Sequence, residues 1–209
     1  PTPPPAPRRP GAALHQGRSL TIKARLARLL LSVLGWRIEG ITPTETRCVL
    51  IAAPHTSNWD FPLMLLYAAS FRLKVHWLAK HTLFAFPMGW LMRSLGGIPV
   101  YRQQRGNLVE AMVERFASQE PFVLVVPAEG TRDYTQFWKS GWYHIARGAN
   151  VPVLPTFLDY RRKLGGFAAP LLPTGELVRD MDYIRAVYSS MQGLHAGRFG
   201  PVRLREESE

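Results

Sequence analysis

A histidine and an aspartate stand five positions apart in Pro54-His55-Thr56-Ser57-Asn58-Trp59-Asp60. The run before them, Cys48 to Ala53, is apolar and reads as a buried strand. The run after them, Phe61 to Phe71, carries no charge and reads as the start of a buried helix. Thr56, Ser57 and Asn58 are all helix-capping residue types. His55 is therefore expected at a strand-to-helix corner, with Asp60 in the first helical turn. There the carboxylate can turn back to the imidazole, fix its tautomer and make the other ring nitrogen a better base. The same heptapeptide also reads as a capped helix start with an incidental histidine.

Two more polar stretches follow expected strands. Arg102 ends Ile98 to Tyr101, and Glu129-Gly130-Thr131-Arg132 follows Phe122 to Val126. In open α/β sheets ligands bind at the carboxyl ends of strands. Arg102 with Thr131 and Arg132 could clamp a phosphate by charge-assisted hydrogen bonds, with His55 acting on a hydroxyl beside it. Arg102 reads equally as a solvated cation, and Glu129 as a partner for Arg132.

The elements that must position these residues alternate. Strands are expected at Trp36–Ile41, 48–53, 75–80, 98–101, 122–126 and 151–158. Helices are expected at 61–71, 107–118, 141–147 with a stop at Gly148, and 182–192, followed by a fraying acidic end at 206–209. Pro87 and Gly89 break the apolar stretch from Leu83 to Leu95. This order is that of a single α/β domain with helices on both faces of a central sheet. The 209 residues suffice for one well-cored domain. The lone cysteine, Cys48, excludes an internal disulfide framework and sits in an apolar run, as a core thiol would. The six histidines lack metal-site spacing.

The net charge is +11, and the excess is local. The first 37 residues hold seven Lys or Arg and no acid, leaving 19 basic and 15 acidic residues in the remainder. Residues 1–18 are rich in Pro, Ala, Gly and Arg, as a disordered tail is. Residues 19–37 place Leu and Ala at helical spacing, with Lys23, Arg25 and Arg28 on the polar side and Trp36 near the end. The cations interrupt this run too early for a spanning helix. It suits an anionic membrane interface, and it also suits an ordinary first helix on a core. The arm carries leucines where nucleic-acid readers carry stacking aromatics or base-reading polar groups, which argues against a nucleic-acid partner.

The polar stretches together resemble the glycerolipid acyltransferase family, the lysophosphatidic acid and glycerol-3-phosphate acyltransferases. His55 and Asp60 are similar to its first motif. Lys80-His81-Thr82-Leu83-Phe84-Ala85-Phe86-Pro87 with Gly97-Ile98-Pro99-Val100-Tyr101-Arg102 resembles the second. Glu129-Gly130-Thr131-Arg132 resembles the third, and Val151-Pro152-Val153-Leu154-Pro155 the fourth. Pro54 stands where many phospholipid-making members have Asn, and Pro127-Ala128 where many have Phe-Pro. With His-Thr-Ser-Asn-Trp-Asp and Trp138-Lys139-Ser140-Gly141, these departures resemble a bacterial subgroup.

The resemblance implies a mixed sheet flanked by helices over residues 38–209. It implies that His55, oriented by Asp60, acts as general base on an acceptor hydroxyl. That hydroxyl attacks an acyl thioester of coenzyme A or acyl carrier protein, a co-substrate rather than a cofactor. Arg102, Glu129, Gly130, Thr131 and Arg132 are expected to shape the acceptor pocket, with apolar walls from Leu83 to Leu95. A lipid acceptor and an anionic membrane are the expected partners, with peripheral attachment to the cytoplasmic face of the cell membrane and no metal. A thioesterase, with water in place of the acceptor, and an inactive lipid-binding protein of the same fold are the alternatives.

Overall fold

The computed structural model describes residues 21–101, 107–119 and 121–208. The expected tail, residues 1–18, lies outside these, as do Arg102 and Glu209.

Seven strands form one sheet: β1 (Arg37–Gly40), β2 (Arg47–Ala53), β3 (Val75–Lys80), β4 (Gly97–Val100), β5 (Phe122–Pro127), β6 (Val153–Asp159) and β7 (Leu164–Phe167). Their spatial order is β1-β7-β6-β2-β5-β3-β4. Every neighbouring pair is parallel except β6 and β7. The sheet is therefore mixed, and β2, β5, β3 and β6 all deliver their carboxyl ends to one edge.

The helices are α1 (Ile22–Val33), α2 (Asp60–Ser70), α3 (Gly89–Ser94), α4 (Leu108–Ser118), α5 (Gly141–Ala149) and α6 (Leu177–Tyr188). A strand buried on both faces must be apolar at successive positions, which is why β2 and β5 read as unbroken apolar runs. Val49, Ile51 and Ala53 point to one face, under Phe116, Trp142, Ile145 and Met181. Cys48 and Leu50 point to the other, under Ala68 and Met64 of α2. Leu31 and Trp36 join Leu63 and Tyr67 in a third cluster, so the basic first helix rests on α2.

Several details depart from the sequence reading. Trp36 is no interfacial anchor. It is 8% exposed and packs edge-on against Tyr67 and Tyr160, with ring centroids 6.3 and 4.9 Å away. Strand β7 gives no alternation signal, because its centre is Gly165-Gly166. Both glycines are there for close approach: a Cβ on Gly166 would lie 1.7 Å from the Glu39 carbonyl oxygen, and one on Gly165 would strike the Tyr67 ring. Helix α5 runs through Gly148, which packs on Val113, and ends at Asn150 with a left-handed φ of 51°. Helix α6 begins at Leu177 rather than Asp182, following the buried spacing Met181, Ile184, Tyr188. Within the described part of the acidic end, Glu207 is tied down rather than frayed: it pairs with Arg185 at 2.5 Å and accepts from the Leu204 N–H at 2.6 Å.

Because Trp36 fills the space between α1, α2 and Tyr160, its removal leaves a cavity. Trp36→Ala is expected to destabilise the domain by about 3–5 kcal/mol in urea unfolding. Retention of wild-type stability would show that α1 is not part of the cooperative core.

Candidate active site

Strand β2 ends at Ala53, and six residues, Pro54 to Trp59, lead the chain into α2. His55 and Asp60 face each other across that corner, with His55 Nδ1 3.1 Å from Asp60 Oδ2. The capping residues act differently from the expectation. Trp59 occupies the helix cap position and makes no side-chain cap bond. The carboxylate of Asp60 does the ordering instead: the backbone N–H groups of Thr56 and Ser57 each donate to its Oδ2 at 2.9 Å. The loop is thus wound around the first acidic side chain of the helix it precedes. A carboxylate in the first turn is also favoured by the helix dipole. With Nδ1 donating to Asp60, Nε2 is the ring's acceptor.

Two further groups complete the corner. The backbone N–H of His55 donates to Glu129 Oε2 at 2.7 Å. The hydroxyl of Tyr160, just past β6, donates to Asp60 Oδ1 at 2.6 Å. Asp60 therefore accepts four hydrogen bonds. Tyr160 is absent from the sequence reading. It lies 100 positions from Asp60 in an unremarkable Asp-Tyr-Arg-Arg turn, and only the parallel alignment of β6 with β2, which pairs Phe157 with Ala53, brings it near.

The site opens into a cavity of about 810 Å³ that runs beneath α2. Phe61, Met64, Trp77, Met92, Phe157 and Phe167 are among its apolar walls. His55, Lys80, Thr131 and Arg132 line it as well. Of the stretch from Leu83 to Leu95, Leu83 and Met92 reach the cavity. Arg132 bonds the Asn58 side-chain oxygen, joining the two polar stretches across the cleft. Gly130, with φ of 68°, turns the chain between them, close against Lys139. Thr131 Oγ1 accepts from the Asp133 N–H at 3.2 Å.

Glu129 is not on the cavity wall. It is 2% exposed, behind His55, and its Oε1 is buried without a partner among the described residues. Burial and the nearby Asp60 charge push its carboxyl up to about 8, against the opposing effect of the His55 N–H. Glu129 supports the backbone of the corner. Cys48 is buried, and burial with the Glu45 charge raises its thiol to about 12, so it is inert as a nucleophile. Among the described residues, no three His, Cys, Asp or Glu side chains converge as metal ligands. Among the same residues, no helix is long and apolar enough to cross a membrane.

An α/β sheet with a His–Asp pair at its carboxyl edge, above an apolar cavity, has the parts of an enzyme that handles acyl chains. Residues 36–159 match the Acyltransferase family, and the chain belongs to that family: it is an acyltransferase. Among solved structures it is similar to the 1-acyl-sn-glycerophosphate (LPA) acyltransferase PlsC from Thermotoga maritima. The TM-score is 0.55 and the identity 18%, over 83% of this chain and 78% of that one, a likeness of fold. No curated protein sequence matches this chain.

The raised Glu129 carboxyl makes stability depend on pH. Between its ordinary 4.5 and about 8 the folded state keeps a proton that the unfolded state loses. Its contribution is present in full below 4.5, declines as pH rises, and is gone above 8. Glu129→Gln removes this dependence. Unfolding free energies at pH 5 and pH 8 are expected to fall more steeply in wild type than in the variant. Parallel declines would mean that Glu129 is ionised in the folded protein.

Proposed function

We propose that this chain moves a fatty acyl group from an acyl thioester to a hydroxyl of a lysophospholipid or glycerol-phosphate acceptor. The observation that carries this reading is the His55–Asp60 pair at the head of a largely apolar 810 Å³ cavity with Lys80 and Arg132 in its wall. The cavity suits an acyl chain, and the cations suit the acceptor's phosphate. His55 Nε2 takes the hydroxyl proton as the acceptor oxygen attacks the thioester carbonyl carbon. The tetrahedral intermediate expels the thiolate, which receives that proton from the imidazolium. An ester and a free thiol result. Asp60 holds the ring and balances its transient charge. Acyl-CoA or acyl carrier protein supplies the thioester as co-substrate.

The experiment is product analysis by mass spectrometry, with acyl thioesters and a panel of lysolipids. A new ester is expected from wild type. A loss of about 10²–10⁴-fold is expected from His55→Ala, and a severe loss from Asp60→Asn, whose amide favours the wrong tautomer. Free fatty acid in place of ester would identify a thioesterase. Near-wild-type transfer by His55→Ala would end the general-base reading.

We further propose that the enzyme works peripherally on an anionic membrane, on its cytoplasmic face. Helix α1 buries Ala24, Ala27 and Leu31, yet turns a second stripe outward: Ile22, Leu26, Leu29 and Val33. Lys23 and Arg25 accompany that stripe. Near the cavity, Phe86 and Trp90 are 98% and 73% exposed. Amphipathic helices with flanking cations bind interfaces by burying such stripes. Leu26→Ser with Leu29→Ser is expected to weaken co-sedimentation with anionic vesicles at both low and high salt. Lys23→Ala with Arg25→Ala should matter only at low salt, where charges are unscreened. Unchanged sedimentation of both variants would remove α1 from the membrane contact.

A further inference from the structure

We propose that Tyr160 is a positioning residue for the His55–Asp60 pair, holding the carboxylate in the orientation that presents Oδ2 to the imidazole. The inference rests on the acyl-transfer reading for its catalytic consequence and on the site geometry alone for the rest.

Asp60 uses its two oxygens asymmetrically. Oδ2 takes the His55 ring and the N–H groups of Thr56 and Ser57, whereas Oδ1 takes Tyr160. Three bonds crowd one oxygen, so without a donor on the other a rotation about the carboxyl axis is opposed from one side only. The 2.6 Å bond from Tyr160 supplies the second restraint, at the length of a charge-assisted O–H bond. Tyr160 is itself held. Its backbone N–H donates to the Gln192 carbonyl at 2.9 Å, and its ring meets Trp36 edge-on. The preceding Asp159 is fully buried and accepts from the Arg161 N–H at 3.1 Å, fixing the turn after β6. Burial, the hydrogen bond to Asp60 and its charge all push the Tyr160 phenol above its ordinary value, so it stays a donor at working pH. Tyr160 lies outside the cavity wall, so it acts through Asp60 rather than on substrate.

Tyr160→Phe deletes the hydroxyl and keeps the ring on Trp36. It is expected to lower kcat roughly 10- to 100-fold, the size of a lost hydrogen bond to a charged group, with KM for the thioester unchanged. In a His55→Ala background the same substitution should cost nothing further, because residues acting as one unit are not additive. Equal losses in both backgrounds would overturn the proposal. Nitrogen NMR of the His55 ring in the ligand-free protein gives a readout independent of activity. Wild type should show the Nδ1–H tautomer, and Tyr160→Phe a mixture with Nε2–H; identical spectra would overturn the proposal. If wild type transfers no acyl group, the functional reading fails while the nitrogen spectra still decide the positioning of the pair.

Discussion

The carboxylate of Asp60 is the point on which the site depends. It accepts from two backbone N–H groups, an imidazole and a phenol, drawn from the β2–α2 corner and the end of β6. A buried carboxylate without partners is costly, so the four donors and the acid require one another. The consequence is a loop whose shape is set by the side chain it surrounds. His55 receives its orientation from the same contact that satisfies the acid. Glu129 fastens the other side of the residue, through its backbone.

That arrangement needs several strand ends side by side, and a parallel sheet supplies them. Strands β2, β5 and β6 run in register, with Ala52 beside Pro127 and Ala53 beside Phe157. Each strand then releases its polar residues at the same edge: His55, Glu129 and Tyr160. The apolar cavity follows from the same layering. Helix α2 covers one face of the sheet, and the space between them is lined from both sides by aromatic and aliphatic groups. The polar side chains sit at the edge and the apolar volume beneath it, because the sheet separates its ends from its faces.

Helix α1 serves two surfaces. Its small residues, Ala24 and Ala27, allow close approach to α2, and Leu31 with Trp36 fills the remaining gap. The outward stripe is left without a partner among the described residues. Both sets, Ala24-Ala27-Leu31 and Ile22-Leu26-Leu29-Val33, recur at helical spacing, so periodicity alone cannot tell which side meets the core.

Much of this was legible in the chain itself. The apolar runs of β2 and β5 are long and uninterrupted, so their burial on both faces could be read directly. The His55 to Asp60 spacing spans one corner, and local geometry is enough to bring the pair together. Residues 129–132 follow β5 with only Ala128 between, so their place at the sheet edge followed from the strand. Other features were decided only by tertiary structure. Strand β7 is specified by what its glycines must approach, the Glu39 backbone and the Tyr67 ring, and neither is a sequence neighbour. Glu129 and Arg132 lie three residues apart, yet one turns inward behind His55 and the other reaches Asn58 across the cleft, because Gly130 reverses the chain between them. Trp36 reads as interfacial by type and is buried because α1 folds back on α2. Tyr160 carries no local signal at all. Its role depends on a strand pairing more than 100 residues apart in the chain, and contacts of that range leave no periodicity for a sequence to display.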